Sequence, residues 1–303
     1  VRSSGVSNYV DVGLRELVRK DAIAGPDVLA SGYHVRPVVA EDAFFGDPTL
    51  ANLMGGVRTP ADLVQIVRAN LGHGVDWIKV LATDRAGLPD TDPRQQVLSD
   101  AQLRAVVEEA GTKRVPVQAH AHGDEGAMAA VRAGVRSIEH GTYLSDATLT
   151  LMKEKGTFLV PTYTTTFDLV EPGGDYDNPV LHLRGVHMLA VQREMIHRAQ
   201  KIGVKIVTGA DTGYGPTSVT RISTEIVNFV DIGLSPLAAL QSATTVAAEL
   251  LGIEKQTGAI EAGLEADLIV VDSNPLQNVG VLRDPLLIVS NGHIAVDRLT
   301  FGK

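Results

Sequence analysis

Short runs of aliphatic and β-branched residues alternate with capped amphipathic segments along most of this chain. Thr59-Pro60 supplies an N-cap followed by a proline at the first helical position, and that helix closes at Gly72 or Gly74. The run Asp76 to Leu81 then reads as a strand. Ser99 with Gln102 forms a capping box opening a helix to Gly111. A strand from Val115 to His120 follows, then a helix over 124–133 stopped by Gly134, then a strand from Arg136 to His140. Ser145 caps a helix ending at Gly156, ahead of the strand-like run Thr157 to Thr162. After a Gly/Pro/Asp-rich loop at 170–178, a long helix runs to Gly203 and the strand Val204 to Gly209 follows it. Ser235-Pro236 begins a further helix that closes at Gly252.

Short strands alternating with helices imply βαβ units and a parallel sheet. With Val28 to Ser31 and the stub Val1 to Ser3, the pattern predicts about seven strands, one short of a closed eight-stranded barrel. No G-x-G-x-x-G turn follows any strand, which favours a barrel over a doubly wound sheet. From Gly258 onward the pattern changes. Ala259-Ile260, Ala266 to Asp272 and Leu286 to Val289 read as short strands without long helices between them, a small β subdomain.

The length of 303 residues fits one large domain or two modest ones. The 36 acidic and 27 basic side chains give a net charge of −9, and the basic residues are scattered, which argues against nucleic-acid or anionic-membrane partners. No apolar run reaches the ~18 residues of a membrane span, and Val1-Arg2-Ser3-Ser4 lacks a signal-peptide core, so a cytoplasmic protein is expected. There is no cysteine, which excludes disulfides, Cys-ligated metals and thiol nucleophiles.

The strand ends carry the candidate chemistry. Lys79 lies within Asp76-Trp77-Ile78-Lys79-Val80-Leu81, His120 and His140 close their strands, and Asp211 follows Ile206-Val207-Thr208-Gly209-Ala210. In a parallel barrel the C-terminal strand ends converge on one face, where catalytic groups gather. Imidazole and carboxylate are ligands of zinc and similar ions, and such a metal acidifies bound water and polarises a carbonyl. Each residue also has a plainer reading: an edge lysine reaching solvent, a hydrogen-bonded structural histidine, a turn-capping aspartate. Four of them at four strand ends favour a metal site.

Trp77-Ile78-Lys79, Gln118-Ala119-His120-Ala121-His122-Gly123, Ile138-Glu139-His140-Gly141 and Thr208-Gly209-Ala210-Asp211 together resemble the amidohydrolase superfamily, in its Xaa-Pro dipeptidase (prolidase)-like and imidazolonepropionase-like branch. Ala243-Thr244, Ala247-Ala248, Leu251-Gly252, Gly258-Ala259-Ile260, Gly263-Leu264-Glu265-Ala266-Asp267-Leu268 and Asn291-Gly292 are similar to that superfamily's ending. The resemblance implies a (β/α)8 TIM-type barrel over 1–254, with 255–303 forming part of a β-sandwich. It implies one or two divalent metals (zinc, with iron or manganese as alternatives) and a CO2-derived carbamate on Lys79 bridging them. A desolvated lysine amine is nucleophilic enough for that carbamate chemistry. His120 and His140 would hold one metal; Asp211 would ligate the other and serve as general base. His122, two residues beyond His120, would face the same mouth near the substrate.

Members of the superfamily carry an His-x-His pair at the end of the first barrel strand. Val1-Arg2-Ser3 resembles the start of the second, so the expected barrel lacks its first strand. A fragment, a one-metal form, or a strand supplied by another subunit would each account for this, and exposed strand edges lead us to expect a homo-oligomer. His34 and His73 are candidate substitute ligands, with helix capping the plainer role for His73. His182, His187 and His197 fall on the long helix and His293 in the tail. Tyr163, Tyr214 and Arg221 could meet a small-molecule substrate. The expected activity is hydrolysis of an amide C–N bond in a dipeptide or N-acyl amino acid, by metal-bound hydroxide with Asp211 moving the proton. Esterase, lactonase or phosphotriesterase chemistry on the same site, or a non-catalytic relic, are the alternatives.

Overall fold

The computed structural model describes residues 1–38, 47–212 and 221–299. They fall into two compact units, one of Val1–Leu159 with Lys201–Val204, the other of Val160–Gln200 with Lys205–Lys303. No helix among the described residues is long and apolar enough to cross a membrane.

In the first unit the elements are α1 (Val10–Arg19), α2 (Pro60–Gly72), β1 (Ile78–Leu81), α3 (Asp100–Gly111), β2 (Val117–Ala121), α4 (Asp124–Ala133), β3 (Ser137–His140), α5 (Asp146–Lys155) and β4 (Phe158–Val160). The caps read from the sequence are present. Thr59 and Asp62 close a reciprocal capping box on α2, and Ser99 and Gln102 do the same on α3. Gly134 and Gly156 end α4 and α5 in the left-handed conformation that an L side chain resists. Asp124 ties two helix starts together, since its Oδ1 accepts from the Ser145 N–H at 2.7 Å and the Thr148 hydroxyl at 2.6 Å.

β1 to β4 form one sheet in sequence order. β1, β2 and β3 pair in parallel, with Lys79 opposite Gln118 and Gln118 opposite Ser137, then Leu81 opposite His120 and His120 opposite Glu139. Paired residues share a face, so one face carries Lys79, Gln118, Ser137, His120 and Glu139. The sheet is extended by single parallel bridges, Val35 to Val80 and Arg2 to Leu29. Adding these, the parallel arrangement runs from the chain start to β4, with a small antiparallel sheet in the tail. The ladders show a parallel α/β core but do not draw the expected TIM-type barrel lacking its first strand, and the expected strand Val204 to Gly209 has only a bridge position at Ile206.

The periodicity misses α1 for a physical reason. The helix buries Asp11 and Arg15 and exposes Val10, Leu14 and Leu17. Asp11 Oδ2 accepts from the Ser31 and Gly32 N–H groups at 2.7 and 3.0 Å, and Arg15 Nη1 donates to Gly74 O and Asp76 Oδ2 at 2.8 and 2.6 Å. The helix is held by these hydrogen bonds to loops, and its apolar stripe of Val10, Leu14 and Leu17 is left exposed.

The second unit contains α6 (Tyr163–Asp168), α7 (Pro179–Ile202), α8 (Ile222–Asp231), α9 (Pro236–Ala243), α10 (Thr245–Leu251), β5 (Leu268–Val270), β6 (Leu287–Ser290) and β7 (His293–Asp297). The helix expected from Ser235 to Gly252 is divided at Thr244, whose backbone (φ −126°, ψ −99°) is not helical. β5, β6 and β7 make an antiparallel sheet in that order. Asn291 and Gly292, both at positive φ (50° and 77°), join β6 to β7 by the turn such a hairpin demands. The tail is thus a small β element, as expected, although Ala259-Ile260 is no strand and β7 lies beyond the predicted runs.

Gly123, which follows His122 and caps α4, is pressed so closely on the preceding loop that a Cβ would lie 2.2 Å from the Arg94 carbonyl oxygen. Gly123→Ala is therefore expected to cost about 1–3 kcal/mol of unfolding free energy. Urea denaturation checks this, and an unchanged midpoint would contradict the close approach.

Candidate metal centre

The pleat of β2 brings His120 to the face that also carries Lys79, and His122 follows two residues later with the same parity. His140 does not come with that face by alternation. It sits in register with Ala121, on the opposite parity from Glu139 and His120. Its backbone is left-handed, with φ of 73°, and its ring nevertheless stacks on His122 at 4.6 Å and 14°. The local strain of a non-glycine residue in this region, about 1–3 kcal/mol, accompanies the departure from the pleat.

The result is a cluster of three buried imidazoles. His120 meets His122 edge-on at 4.8 Å and His140 at 4.6 Å between centroids. One nitrogen from each of the three rings lies within 4.8 Å of the others, so the cluster can hold a metal ion. Burial, then the charges of neighbouring groups including Lys79 and Arg85, holds His120 and His140 far below the usual imidazole range. Those two rings are therefore neutral at pH 7 and keep the lone pair that a metal needs. Orienting bonds complete the fit: His120 Nε2 meets the Asp84 carbonyl at 3.1 Å, and His122 Nδ1 meets the Thr142 hydroxyl at 2.9 Å. Such outer partners set the tautomer and aim of a metal-binding imidazole. Thr83 Oγ1 also accepts from the His122 N–H at 2.9 Å.

Beneath the imidazoles the same face of the sheet is polar and saturated. Arg2 donates to Ser137 Oγ at 3.1 Å and to Glu139 Oε2 at 2.9 Å, while its guanidinium lies 4.7 Å over the Trp77 ring. Ser137 Oγ donates to Glu139 Oε1 at 2.6 Å. Gln118 Nε2 donates to Ser3 O and Ser31 Oγ at 2.8 and 2.9 Å. The motifs at Trp77, Gln118 and Glu139 do not announce these pairings, because Arg2, Ser3 and Ser31 come from segments far away along the chain.

The other sequence candidates separate clearly. Lys79 is buried in β1 and its charge is felt at His34, His120 and His140. His34, half-buried, is pushed down to about 4 by burial and by Lys79, Arg36 and Arg85. His73 caps α2, stacks on Tyr9 at 3.7 Å and pairs with Asp47 at 3.4 Å. His182, His187 and His197 lie on α7, and His293 opens β7. Tyr163 begins α6, buried, its hydroxyl donating to Leu189 O at 3.3 Å. In the second unit Asp211 is half-buried with φ of 47°. Arg221 is the exposed N-cap of α8, and Tyr214 lies outside the described residues.

Known proteins are similar to this chain in sequence and fold. The description of the amidohydrolase family matches residues 2–295. The chain is 29% identical over 311 residues to the ochratoxinase of Aspergillus niger, a match covering 93% of this chain and 63% of that enzyme. It is 29% identical over 185 residues to the imidazolonepropionase of Symbiobacterium thermophilum, covering 58% of this chain and 38% of that protein. A solved Xaa-Pro dipeptidase with bound methionine in its active site superimposes with a TM-score of 0.85 at 29% identity, over 97% of this chain and 74% of that one. The chain thus spans less than two thirds of the ochratoxinase's length.

Buried neutral imidazoles make the first unit acid-sensitive. His34 has a folded pKa of about 4 against an ordinary 6.5, so its contribution is complete above 6.5 and is lost as pH falls towards 4. His120 and His140 act in the same direction. Urea midpoints of the metal-free protein should fall between pH 7 and pH 5, with His34 accounting for up to about 3 kcal/mol at full titration. His34→Gln should flatten that slope, and an identical slope in the variant would show that His34 is not the group responsible.

Proposed function

Because the chain belongs to the amidohydrolase family, we propose that it is a metal-dependent hydrolase of a C–N bond, acting on a dipeptide or an N-acyl amino acid. The observation that carries this reading is the buried imidazole cluster of His120, His122 and His140 at the ends of two parallel strands. Free methionine in the active site of the related dipeptidase supports an amino acid as the leaving group.

In this reading His120 and His140 hold a divalent ion, zinc or otherwise iron or manganese, with a CO2-derived carbamate on Lys79 as their anionic partner. His122 stands beside them, oriented by Thr142, as a third imidazole for the ion or as a contact for the substrate. When bound, the ion supplies a Lewis acid for the scissile carbonyl and brings the pKa of a water towards neutrality. Asp211, as a further ligand and the general base, takes a proton from the attacking water and delivers it to the departing amine nitrogen, so the proton count closes over the cycle. Tyr163 and Tyr214 are assigned to the substrate side. For Tyr163 that role requires its hydroxyl to exchange the Leu189 carbonyl for a substrate group. Residues 1–254 are assigned to the catalytic barrel, 255–303 to the sandwich portion, and the working form to a homo-oligomer.

Two measurements test the proposal. Elemental analysis of the dialysed protein should find about one equivalent of divalent metal or more, dependent on the cluster. Lys79→Ala should lose metal and regain part of its activity with a short-chain carboxylic acid; full metal retention removes Lys79 from the site. On a panel of dipeptides, N-acyl amino acids, esters and phosphotriesters, the amides should be turned over fastest. Asp211→Asn should lower kcat on the order of 10²–10⁴-fold with the fold intact. Undiminished turnover in Asp211→Asn, or esters outpacing every amide, would overturn the assignment.

A further inference from the structure

Glu225 is a fully buried carboxylate with no part in the chemistry above. It lies on α8 and accepts three hydrogen bonds from the first turn of α6: the Tyr163 N–H at 2.8 Å, the Thr164 N–H at 2.7 Å and the Thr164 hydroxyl at 2.5 Å. Asn228, one turn later on α8, donates to the same Thr164 oxygen at 3.0 Å. Thr162, the N-cap of α6, makes no side-chain capping bond and sits at φ of 47°. The start of α6 is therefore held by a side chain about sixty residues away. Burial lifts the Glu225 carboxyl to about 7 against the pull of its donors. A cap for a six-residue helix does not call for a group so costly to bury.

The other side of the same turn carries the segment that ends in Asp211. A Cβ on Gly209 would lie 2.5 Å from Val160 Cγ1 and 3.0 Å from Thr162 Cγ2, so the backbone there lies directly on the turn. Thr165, in the first turn of α6, donates its hydroxyl to the Ala210 carbonyl at 3.0 Å. The next residue is Asp211, at φ of 47°. A non-glycine residue keeps that backbone only where its surroundings over-determine it. The contacts supply a route: Glu225 fixes α6, and α6 fixes Gly209 and Ala210.

We infer that Glu225 is the positioning residue for Asp211, acting through the first turn of α6 and the Thr165–Ala210 hydrogen bond. The inference rests on the reading of Asp211 as general base. Glu225→Gln replaces one acceptor oxygen by a donor facing N–H groups, and Thr165→Val removes the last link while leaving Glu225 in place.

Amide hydrogen exchange followed by mass spectrometry on the full chain is the test. Each variant should speed exchange over residues 208–212 by tenfold or more, with β1, β2 and β3 unchanged. The double variant should exceed neither single variant, since both act on one path. On the dipeptide and N-acyl amino acid panel, each should lower kcat about tenfold with KM within twofold. Faster exchange confined to 163–165 would make Glu225 a local helix cap, and a uniform rise would make it a general stability residue; either overturns the inference. Asp211→Asn, measured in parallel, separates the two ideas: full activity in that variant removes the general base, while the exchange pattern still decides whether Glu225 holds this segment.

Discussion

Three imidazoles can be buried against one another only while they remain uncharged, and the first unit is arranged around that constraint. Protonating His120 or His140 would place a charge in a dry site beside Lys79. Burial keeps His120 and His140 neutral, the Asp84 carbonyl and the Thr142 hydroxyl meet the His120 and His122 rings, and the Thr83 hydroxyl holds the His122 backbone N–H. The layer beneath repeats the principle with charge allowed. There Arg2 and Glu139 are buried, and each is satisfied by the other and by Ser137. A buried ion pair is tolerated when its remaining hydrogen-bonding capacity is met in this way.

Backbone strain marks the same locations in both units. Of the eight non-glycine residues at positive φ among the described residues, His140, Thr162 and Asp211 sit at or just beyond a strand or strand-like run that carries the candidate site, while Asn8, Tyr9, Asp21, Arg114 and Asn291 lie elsewhere. Such conformations persist where packing over-determines them, and they gather at functional sites. At His140 the strain coincides with a ring turned towards His122. At Thr162 and Asp211 it coincides with contacts among α6, Gly209 and Ala210 that a relaxed chain would not make.

Much of this was legible beforehand. Capping boxes at Thr59 and Ser99 and glycine stops at Gly134 and Gly156 are local chemistry, and they placed four helices closely. The strand-end histidines were legible because pleat alternation ties His122 to His120. What escaped was whatever depends on distant partners. α1 faces its apolar side outward because Asp11 and Arg15 are held by loops. The partners of Glu225 on α8 lie on α6, about sixty residues away, and nothing local to α8 signals that contact. The hairpin of β6 and β7 turns at Asn291-Gly292, and β7 beyond that pair shows no strand pattern that the sequence makes plain.

By itself, the sequence determined the alternation of strands and helices, the boundaries of the capped helices α2 to α5 and the residue types at the strand ends. These are set by spacing, capping and side-chain period, all of which act within a few residues along the chain. The tertiary structure alone decided that His140 turns out of its pleat to join His120 and His122, and that Arg2 meets Glu139 across 137 residues of chain. It also decided that a carboxylate on α8 holds the turn against which Asp211's segment lies. Those outcomes follow from burial, because a polar group removed from water must find its partner wherever the fold has placed one.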